Sequence, residues 1–281
     1  AYMGPLLQEA TAVGHKAVQR QVCPASLEYP SAFHSEVEEV RSLFGQLIGT
    51  SGENVAIVPA TSYGTATAAR QLANHLHAGD SIIVLEEQFF SNYFVWHRLA
   101  KDRGAKLCTV PRPADFNWTE ALLQMMDSNA DSCRLVTTPN VHWTDGSTID
   151  LERIGRRCRE MGAFLVVDGT QSIGARPLEL AHVQPDFLVC SAYKWLLCPY
   201  GLAFLYVAPK WQNGEPLELH NWSREAGGQF YSFNFKAGAR RYDCGQRSSF
   251  LSLPMAIVAI RQILNWSVPS IQATIAPLVQ R

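Results

Sequence analysis

Residues 164–172, Phe-Leu-Val-Val-Asp-Gly-Thr-Gln-Ser, are the stretch of sequence that decides the fold. The first four residues form a continuous apolar run that ends at Asp168. Such a run of about 4–8 residues is typical of a strand buried on both faces of a sheet. A carboxylate at the end of a buried strand is unfavourable unless it caps the next helix or a positively charged group holds it. Asp168 is therefore interpreted either as a helix cap or as the partner of a cationic ligand group.

Similar apolar runs stand on both sides of this stretch and alternate with segments of helical spacing. The predicted strands are residues 55–59, 81–86, 106–110, 134–138, 187–190 and 202–207. The predicted helices are residues 6–21, 35–48, 61–77, 92–103, 118–127, 151–161 and 252–266. Strands separated by helices indicate an α/β fold with a mostly parallel sheet that is covered on both faces, and ligands gather at the carboxyl ends of such strands. We predict one large domain over residues 1–250, with residues 251–281 forming a helix that leads out of it.

The composition limits the possible functions. The 281 residues include 24 Lys and Arg against 25 Asp and Glu, so no global basic field exists to bind nucleic acid. The longest apolar stretches, such as residues 202–208, are far shorter than the roughly 18 residues of a membrane span. Seven scattered cysteines without a CxxC pair argue against a zinc ribbon, a dithiol redox site and a disulfide scaffold. We predict a cytoplasmic protein without a metal site.

A lysine stands in unusually apolar surroundings. Lys194 follows the strand of residues 187–190 and is flanked by Tyr193 and by Trp195-Leu196-Leu197. Burial lowers the pKa of a lysine and favours the neutral amine, which attacks carbonyl groups and forms Schiff bases. The alternative is an ordinary lysine whose stem lies on apolar surface while its ammonium reaches water.

Two further signals stand at the carboxyl ends of predicted strands. The turn of residues 60–65, Ala-Thr-Ser-Tyr-Gly-Thr, opens a helix, where hydroxyl groups and backbone N–H groups either bind phosphate or cap the helix. Phe89-Phe90 follows the strand of residues 81–86 and offers an aromatic face, unless it is a core aromatic. A phosphate cradle, an aromatic ring, an acid and a buried lysine together fit pyridoxal 5′-phosphate (PLP).

The sequence also resembles a known family. Residues 167–174 (VDGTQSIG), 186–195 (DFLVCSAYKW) and 199–201 (PYG) are similar to the class V aminotransferase family of fold-type I PLP-dependent enzymes. This family includes cysteine desulfurases, selenocysteine lyases, kynureninases and isopenicillin N epimerase-like proteins. The resemblance covers most of residues 1–265, and residues 1–5 look like the family's N-terminal segment. It implies a three-layer αβα large domain, a mixed and mostly parallel sheet, and a small C-terminal domain that is largely missing.

The resemblance implies a role for each matching residue. Lys194 would form a Schiff base with PLP and then act as the general base at Cα of an amino acid. Asp168 would pair with the pyridinium nitrogen, and Gln171 would donate a hydrogen bond to the phenolate oxygen of the ring. The other implied cofactor contacts are Ser62, Tyr63, Ser191 and Tyr193 at the phosphate, Phe89 on the ring, and Asn140 near the cofactor and the substrate.

The resemblance also extends to the assembly, and it has exceptions. Gly245-Gln246 matches a segment that reaches the phosphate of the partner subunit, which implies a homodimer. Phe89 stands where desulfurases have a stacking histidine, and a phenylalanine cannot transfer protons. Tyr193 replaces the histidine that often precedes the lysine and is similar to the kynureninase pattern. Arg241 and Arg247 are candidates for binding the substrate carboxylate, with surface salt bridges as the alternative.

The implied activity is that of a transaminase-like enzyme acting on an amino acid. A C–S lyase or cysteine desulfurase activity and an epimerase activity are alternatives, because all begin with removal of the α-proton. None of the seven cysteines lies in a recognisable desulfurase loop. A catalytically inactive PLP-fold binding protein is the alternative from another class, and the intact Lys194 and Asp168 argue against it. Residues 191–194 match the S-x-x-K motif of serine β-lactamases, but the S-D-N and K-T-G motifs are absent.

Overall fold

Seven strands pair in a single sheet in the computed structural model, which describes residues 1–225 and 233–279. Their order across the sheet is β1-β7-β6-β5-β4-β2-β3. Strand β7 pairs antiparallel with β1 and β6, whereas the other pairs are parallel. The bounds are β1 Val55–Val58, β2 Ser81–Leu85, β3 Lys106–Val110, β4 Cys133–Pro139, β5 Phe164–Asp168, β6 Phe187–Ser191 and β7 Ala203–Val207. The predicted mixed and mostly parallel sheet is confirmed.

Helices cover both faces of this sheet. Within the described residues they are α1 Gln8–Arg20, α2 Ser35–Leu47, α3 Thr61–Leu72, α4 Phe94–Arg103, α5 Trp118–Ser128, α6 Leu151–Met161, α7 Leu180–Val183, α8 Ser252–Trp266 and α9 Val268–Val279. The predicted helix of residues 61–77 stops at Leu72 and continues as a single 3₁₀ turn.

Alternate residues of each central strand point into two separate cores. Leu165 and Val167 of β5 pack with α2, α5, α6 and α8, whereas Val166 packs on the other face with α3 and α4. Because strand side chains alternate with a period of two, a strand buried on both faces must be apolar at successive positions. This explains the unbroken apolar runs in the sequence and confirms the three-layer αβα architecture.

Helix α8 belongs to the first of these cores. Ala256, Ile260 and Ile263 are buried within it, and Met255 lies against α1, where a Cβ atom on Gly14 would stand 2.7 Å from the sulfur of Met255. The segment predicted to lead out of the large domain therefore begins with a helix that packs on it. The boundary at residue 250 stays a prediction.

Two features are absent from residues 1–225 and 233–279. No helix in these residues has the length and apolar character needed to cross a bilayer. They also contain no group of three or more His, Cys, Asp or Glu side chains arranged to hold a metal ion.

Candidate active site

A cavity of about 390 Å³ opens at the carboxyl ends of the parallel strands. The connections that follow β1, β2, β4, β5 and β6 all contribute to its walls. Among the residues predicted from the sequence, it brings together Ser62, Phe89, Asp168, Gln171, Ser191, Tyr193 and Lys194. The side chains of Tyr63, Asn140 and Gln246 are not part of its lining.

Lys194 lies on the connection between β6 and β7. This connection is closed by backbone hydrogen bonds from Ala192 N to Leu202 O (3.0 Å) and from Cys198 N to Ala192 O (3.1 Å). Only 8% of Lys194 is exposed, and its amine lies 5.7 Å from the ring centroid of Phe89. The lysine is therefore held inside the cavity by a tightly closed loop and does not extend into water.

Burial lowers the pKa of Lys194, and the negative charge of Asp168 partly opposes this effect. Removing an ammonium group from water disfavours its charged form. A larger fraction of Lys194 is consequently the neutral, nucleophilic amine than in an exposed lysine at the same pH.

Asp168 ends β5 and is 7% exposed. Its Oδ1 accepts a hydrogen bond from the backbone N–H of Thr170 (2.9 Å), and its Oδ2 accepts one from Nδ2 of Asn92 (3.3 Å). Burial raises the pKa of Asp168, while Thr170 and Lys194 lower it in part. Residues 169–174 form turns and not a helix, so Asp168 is not a helix cap. Because both donors are neutral, a cationic N–H group in the cavity would stabilise the carboxylate.

Hydroxyl groups from three connections meet beside the N-terminus of α3. The Thr61 hydroxyl is hydrogen-bonded to the Ser191 hydroxyl and lies 3.4 Å from the Thr170 hydroxyl. Thr170 Oγ1 also accepts a hydrogen bond from the Ser191 backbone N–H (3.1 Å). Hydroxyl donors and the first N–H groups of a helix are suited to binding an anion. The sequence pattern located this turn, which includes Thr61, but singled out Ser62 and Tyr63 in it and missed Thr170.

Tyr63 turns away from this cluster. Its ring packs against the core between the sheet and α3, and its hydroxyl is buried. Burial is the main reason that the pKa of Tyr63 is raised, and Glu218 adds to the effect. A phosphate contact by Tyr63 stays a prediction that this side-chain position does not favour.

Phe89 and Trp143 form the aromatic side of the cavity. Their rings meet edge to face, with centroids 5.5 Å apart and an interplanar angle of 88°. The indole N–H of Trp143 donates a hydrogen bond to the backbone oxygen of Glu87 (2.6 Å). Buried Gln88 fixes the same turn, because it accepts from Leu85 N (3.1 Å) and donates to Asn92 O (3.1 Å). Trp143 is not among the residues predicted from the sequence, because it lies in an irregular connection without a recognisable motif.

Gln171 and Asn140 have other partners in this structure. Nε2 of Gln171 donates to the backbone oxygen of Ala1 (3.1 Å), so the N-terminal segment lies against the cavity. Asn140 donates to Ile149 O (3.1 Å), and its side-chain oxygen is buried without a hydrogen-bond partner among the described residues. Both proposed cofactor contacts stay predictions.

Gln246, Arg241 and Arg247 lie outside this cavity. Gln246 and Arg247 line a neighbouring cavity of about 820 Å³ that shares Pro59, Gly201 and Leu202 with the first one. Arg247 is 2% exposed and forms an ion pair with Asp243 (3.2 Å), so it is not engaged in a surface salt bridge. Arg241 donates to the backbone oxygen of Gly214 (3.2 Å).

Comparison with known proteins agrees with this geometry. The family model described as "Aminotransferase class-V" matches residues 11–228, and the chain belongs to this family. A curated relative, the probable cysteine desulfurase of Mycoplasma genitalium, is 24% identical over 233 residues, which cover 82% of this chain and 55% of the relative. The chain spans about half the length of the curated relatives it matches.

Solved structures have the same fold. The apo cysteine desulfurase of Thermococcus onnurineus superposes with a TM-score of 0.82 at 21% identity, covering 99% of this chain and 72% of that one. A mutant of the cystine C–S lyase, with glycine covalently linked to its PLP cofactor, superposes with a TM-score of 0.83 at 17% identity, covering 93% of this chain and 69% of that one.

Proposed function

We propose that this protein is a PLP-dependent enzyme that removes the α-proton of an amino acid, with Lys194 as the base. The observation that carries the proposal is the juxtaposition of two buried ionisable groups, Lys194 and Asp168, in the wall of one cavity. Membership of the class V aminotransferase family and the PLP in a neighbouring structure support it.

The residues that line the cavity fit PLP. Asp168 has neutral hydrogen-bond donors on both oxygens, so its charge is available for the pyridinium nitrogen. The hydroxyl cluster at the start of α3 fits the phosphate, and Phe89 offers a ring for stacking. When bound, PLP supplies an aldehyde for a Schiff base with the lysine and an electron-poor ring that delocalises negative charge from Cα.

The protein's own residues then have distinct tasks. The lowered pKa of Lys194 leaves its amine ready to take a proton at Cα and to return it elsewhere on the substrate. Asp168 stabilises positive charge at the far side of the cavity. Phe89 and Trp143 have no group that takes up or releases a proton at ordinary pH, so Lys194 is the lining group best suited to move protons.

Cleavage of a carbon–sulfur bond is our first candidate for the reaction, because the relatives are named cysteine desulfurases. None of the cysteines in the described residues lines the cavity, so persulfide formation would need a thiol from elsewhere. Elimination of a sulfur leaving group from Cβ needs only the base. Transamination is the second candidate, because it also needs no thiol, and epimerisation and loss of catalysis remain outcomes of the test.

An absorbance measurement tests cofactor binding. The protein incubated with PLP and dialysed should show a band between about 390 and 430 nm. Lys194→Ala should abolish the band, and Lys101→Ala, at an exposed lysine, should leave it unchanged. A band that survives in Lys194→Ala would contradict the proposal.

A substrate panel tests the reaction. Full-length protein is incubated with single amino acids, and keto acid, sulfide, alanine and racemised product are followed. Pyruvate with sulfide from cysteine, or pyruvate with cysteine persulfide from cystine, would establish elimination. Alanine from cysteine, with sulfide released by an added thiol reductant, would establish desulfuration. Keto acid that depends on an amino acceptor would establish transamination.

We also propose a homodimer and a reducing, cytoplasmic location. Gln246 is exposed beside the 820 Å³ cavity, which suits a segment that reaches a partner's site. Six cysteines, at positions 108, 133, 158, 190, 198 and 244, are free thiols, as in reducing compartments. Sedimentation equilibrium of the full-length protein should give twice the monomer mass, and a monomer with full activity would contradict the dimer.

A further inference from the structure

We propose that the site prefers amino acids with a large apolar or aromatic side chain, and that Trp143 sets this preference. The inference rests on the proposed removal of an α-proton by Lys194, and it favours transamination over carbon–sulfur cleavage of cysteine, whose side chain is small. It starts from the outer wall of the 390 Å³ cavity, which is formed by Phe90, Val141, Trp143, Tyr200 and Leu202.

The aromatic side chains of this outer wall expose much of their surface. Trp143 is 44% exposed and Phe90 is 61% exposed. Large exposed apolar side chains grouped at one cavity mouth mark a binding surface. The ligand that enters this cavity is the natural occupant of that surface.

Trp143 is held in place before any ligand arrives. Its N–H is satisfied by Glu87 O (2.6 Å), and its ring is braced edge to face by Phe89. The preceding residue, His142, is stacked on Trp118 with ring centroids 4.5 Å apart and is hydrogen-bonded to Glu86 O (3.1 Å). Because its polar atom is already used, the free part of the indole is an apolar surface, preorganised at little further entropic cost.

The described lining of the cavity offers no free counter-charge to a charged substrate side chain. Among the described residues that line it, only Asp168 and Lys194 carry acidic or basic side chains, and both are assigned to the cofactor. An acidic or basic substrate side chain would lose water without finding an opposite charge. An apolar side chain would instead bury the exposed faces of Trp143 and Phe90, which is favourable.

The experiment is a titration of the PLP-loaded protein with amino acids, followed by the change in the 390–430 nm absorbance. The probes are L-phenylalanine, L-leucine, L-alanine, L-aspartate and L-arginine. We expect phenylalanine and leucine to bind at least about tenfold more tightly than the other three. Trp143→Ala should weaken phenylalanine binding by about tenfold or more and change aspartate binding less than about twofold.

Matched variants separate this role from a structural one. Trp143→Phe should restore most of the preference, because the ring is kept. Phe116→Ala removes an exposed ring outside the cavity and should change no affinity. Equal affinity for all five amino acids, or an equal loss for all in Trp143→Ala, would overturn the inference. So would a Trp143→Ala protein that loses its oligomeric state but keeps its preference, because a second copy would then be the occupant.

The failure of the proposed function has a different signature. Absence of the absorbance band in the wild-type protein would overturn PLP binding and this inference with it. A normal band without any preference would overturn the inference alone.

Discussion

Gly4 and Lys194 meet through their backbones. A Cβ atom built on Gly4 would lie 2.0 Å from the carbonyl oxygen of Lys194 and 3.2 Å from Cδ2 of Leu197. Gly4 N also donates a hydrogen bond to Tyr193 O (2.9 Å). Glycine is required here by the close approach of two backbones and not by its own torsion angles. The N-terminal segment therefore fastens the loop that carries the reactive amine.

Gly4→Ala should displace this loop. We expect a loss of about 1–3 kcal/mol in the free energy of unfolding, because the new methyl group meets backbone atoms that cannot yield without a shift. The PLP band should weaken in parallel. Thermal unfolding and the absorbance titration measure the two effects. Tyr2→Ala is the control, since Tyr2 is exposed in the same segment, and an equal effect of the two changes would refute the steric explanation.

The carboxylate of Asp243 is the counter-charge of two buried arginine side chains. It is hydrogen-bonded to Arg41 (2.7 Å) and Ile57 N (2.8 Å) and paired with Arg247 (3.2 Å). Asp243→Ala should destabilise the protein by about 3–5 kcal/mol, because both guanidinium groups would stay buried without their counter-charge. Asp102→Ala, which removes the exposed pair with Arg98, should cost about 0–1 kcal/mol. Denaturant unfolding distinguishes them, and similar losses would contradict the prediction.

The pH dependence of Lys194 follows from the direction of its pKa. Since burial lowers the pKa in the folded protein, the folded state releases its proton at a lower pH than the unfolded state does. Between the two pKa values the unfolded state binds more protons, so this group makes the free energy of unfolding rise with pH. The rate of PLP uptake should likewise reach its plateau below the ordinary lysine pKa of about 10.4.

Asp168→Asn tests the assignment of these two groups. It removes the negative charge that raises the pKa of Lys194, so the uptake profile should move to still lower pH. The measurement is the rate of appearance of the 390–430 nm band against pH in both proteins. A shift to higher pH would mean that another group controls uptake.

Two buried threonines should respond in opposite ways to loss of the hydroxyl. Thr170→Val removes the acceptor of the Ser191 N–H and a hydrogen bond that lowers the pKa of Asp168. We expect a loss of about 1–2 kcal/mol in the free energy of unfolding and weaker PLP binding. Thr137→Val removes a buried hydroxyl that has no hydrogen-bond partner among the described residues, so it should be neutral or stabilising. Urea unfolding measures the free energy of unfolding of both variants. Equal losses would contradict a stabilising role of the hydroxyl cluster.

The strands and the carboxyl-end residues could be predicted from sequence because burial on both faces leaves an unbroken apolar run. Asp168 and Lys194 interrupt such runs, and polar residues stand out in that background. The direction of Tyr63 could not be predicted as easily. Helix α3 begins at Thr61, and with 3.6 residues per turn Tyr63 points about 200° away from Thr61. A shift of one residue in the position where the helix begins would therefore change which side chain faces the site.

The place of Trp143 in the cavity wall could not be predicted from the sequence for a different reason. Its position depends on a hydrogen bond to Glu87 O and on the ring of Phe89, which are more than fifty residues earlier in the chain. Patterns of neighbouring residues in the sequence do not indicate contacts between residues so far apart in the chain. The neighbours of Gly4 are hidden in the same way, because Lys194, which Gly4 approaches closely, lies far later in the chain.

The antiparallel pairing of β7 with β6 separates the segment that carries Lys194 from the segments that carry Phe89, Phe90 and Trp143. Because the chain returns directly to the sheet after Lys194, the reactive amine sits on a hairpin that is clamped at both ends. Phe89, Phe90 and Trp143 come instead from the connections after β2 and β4. Substitutions at Phe90 and Trp143 can therefore change which amino acid side chain the site accepts without touching the hairpin that carries Lys194.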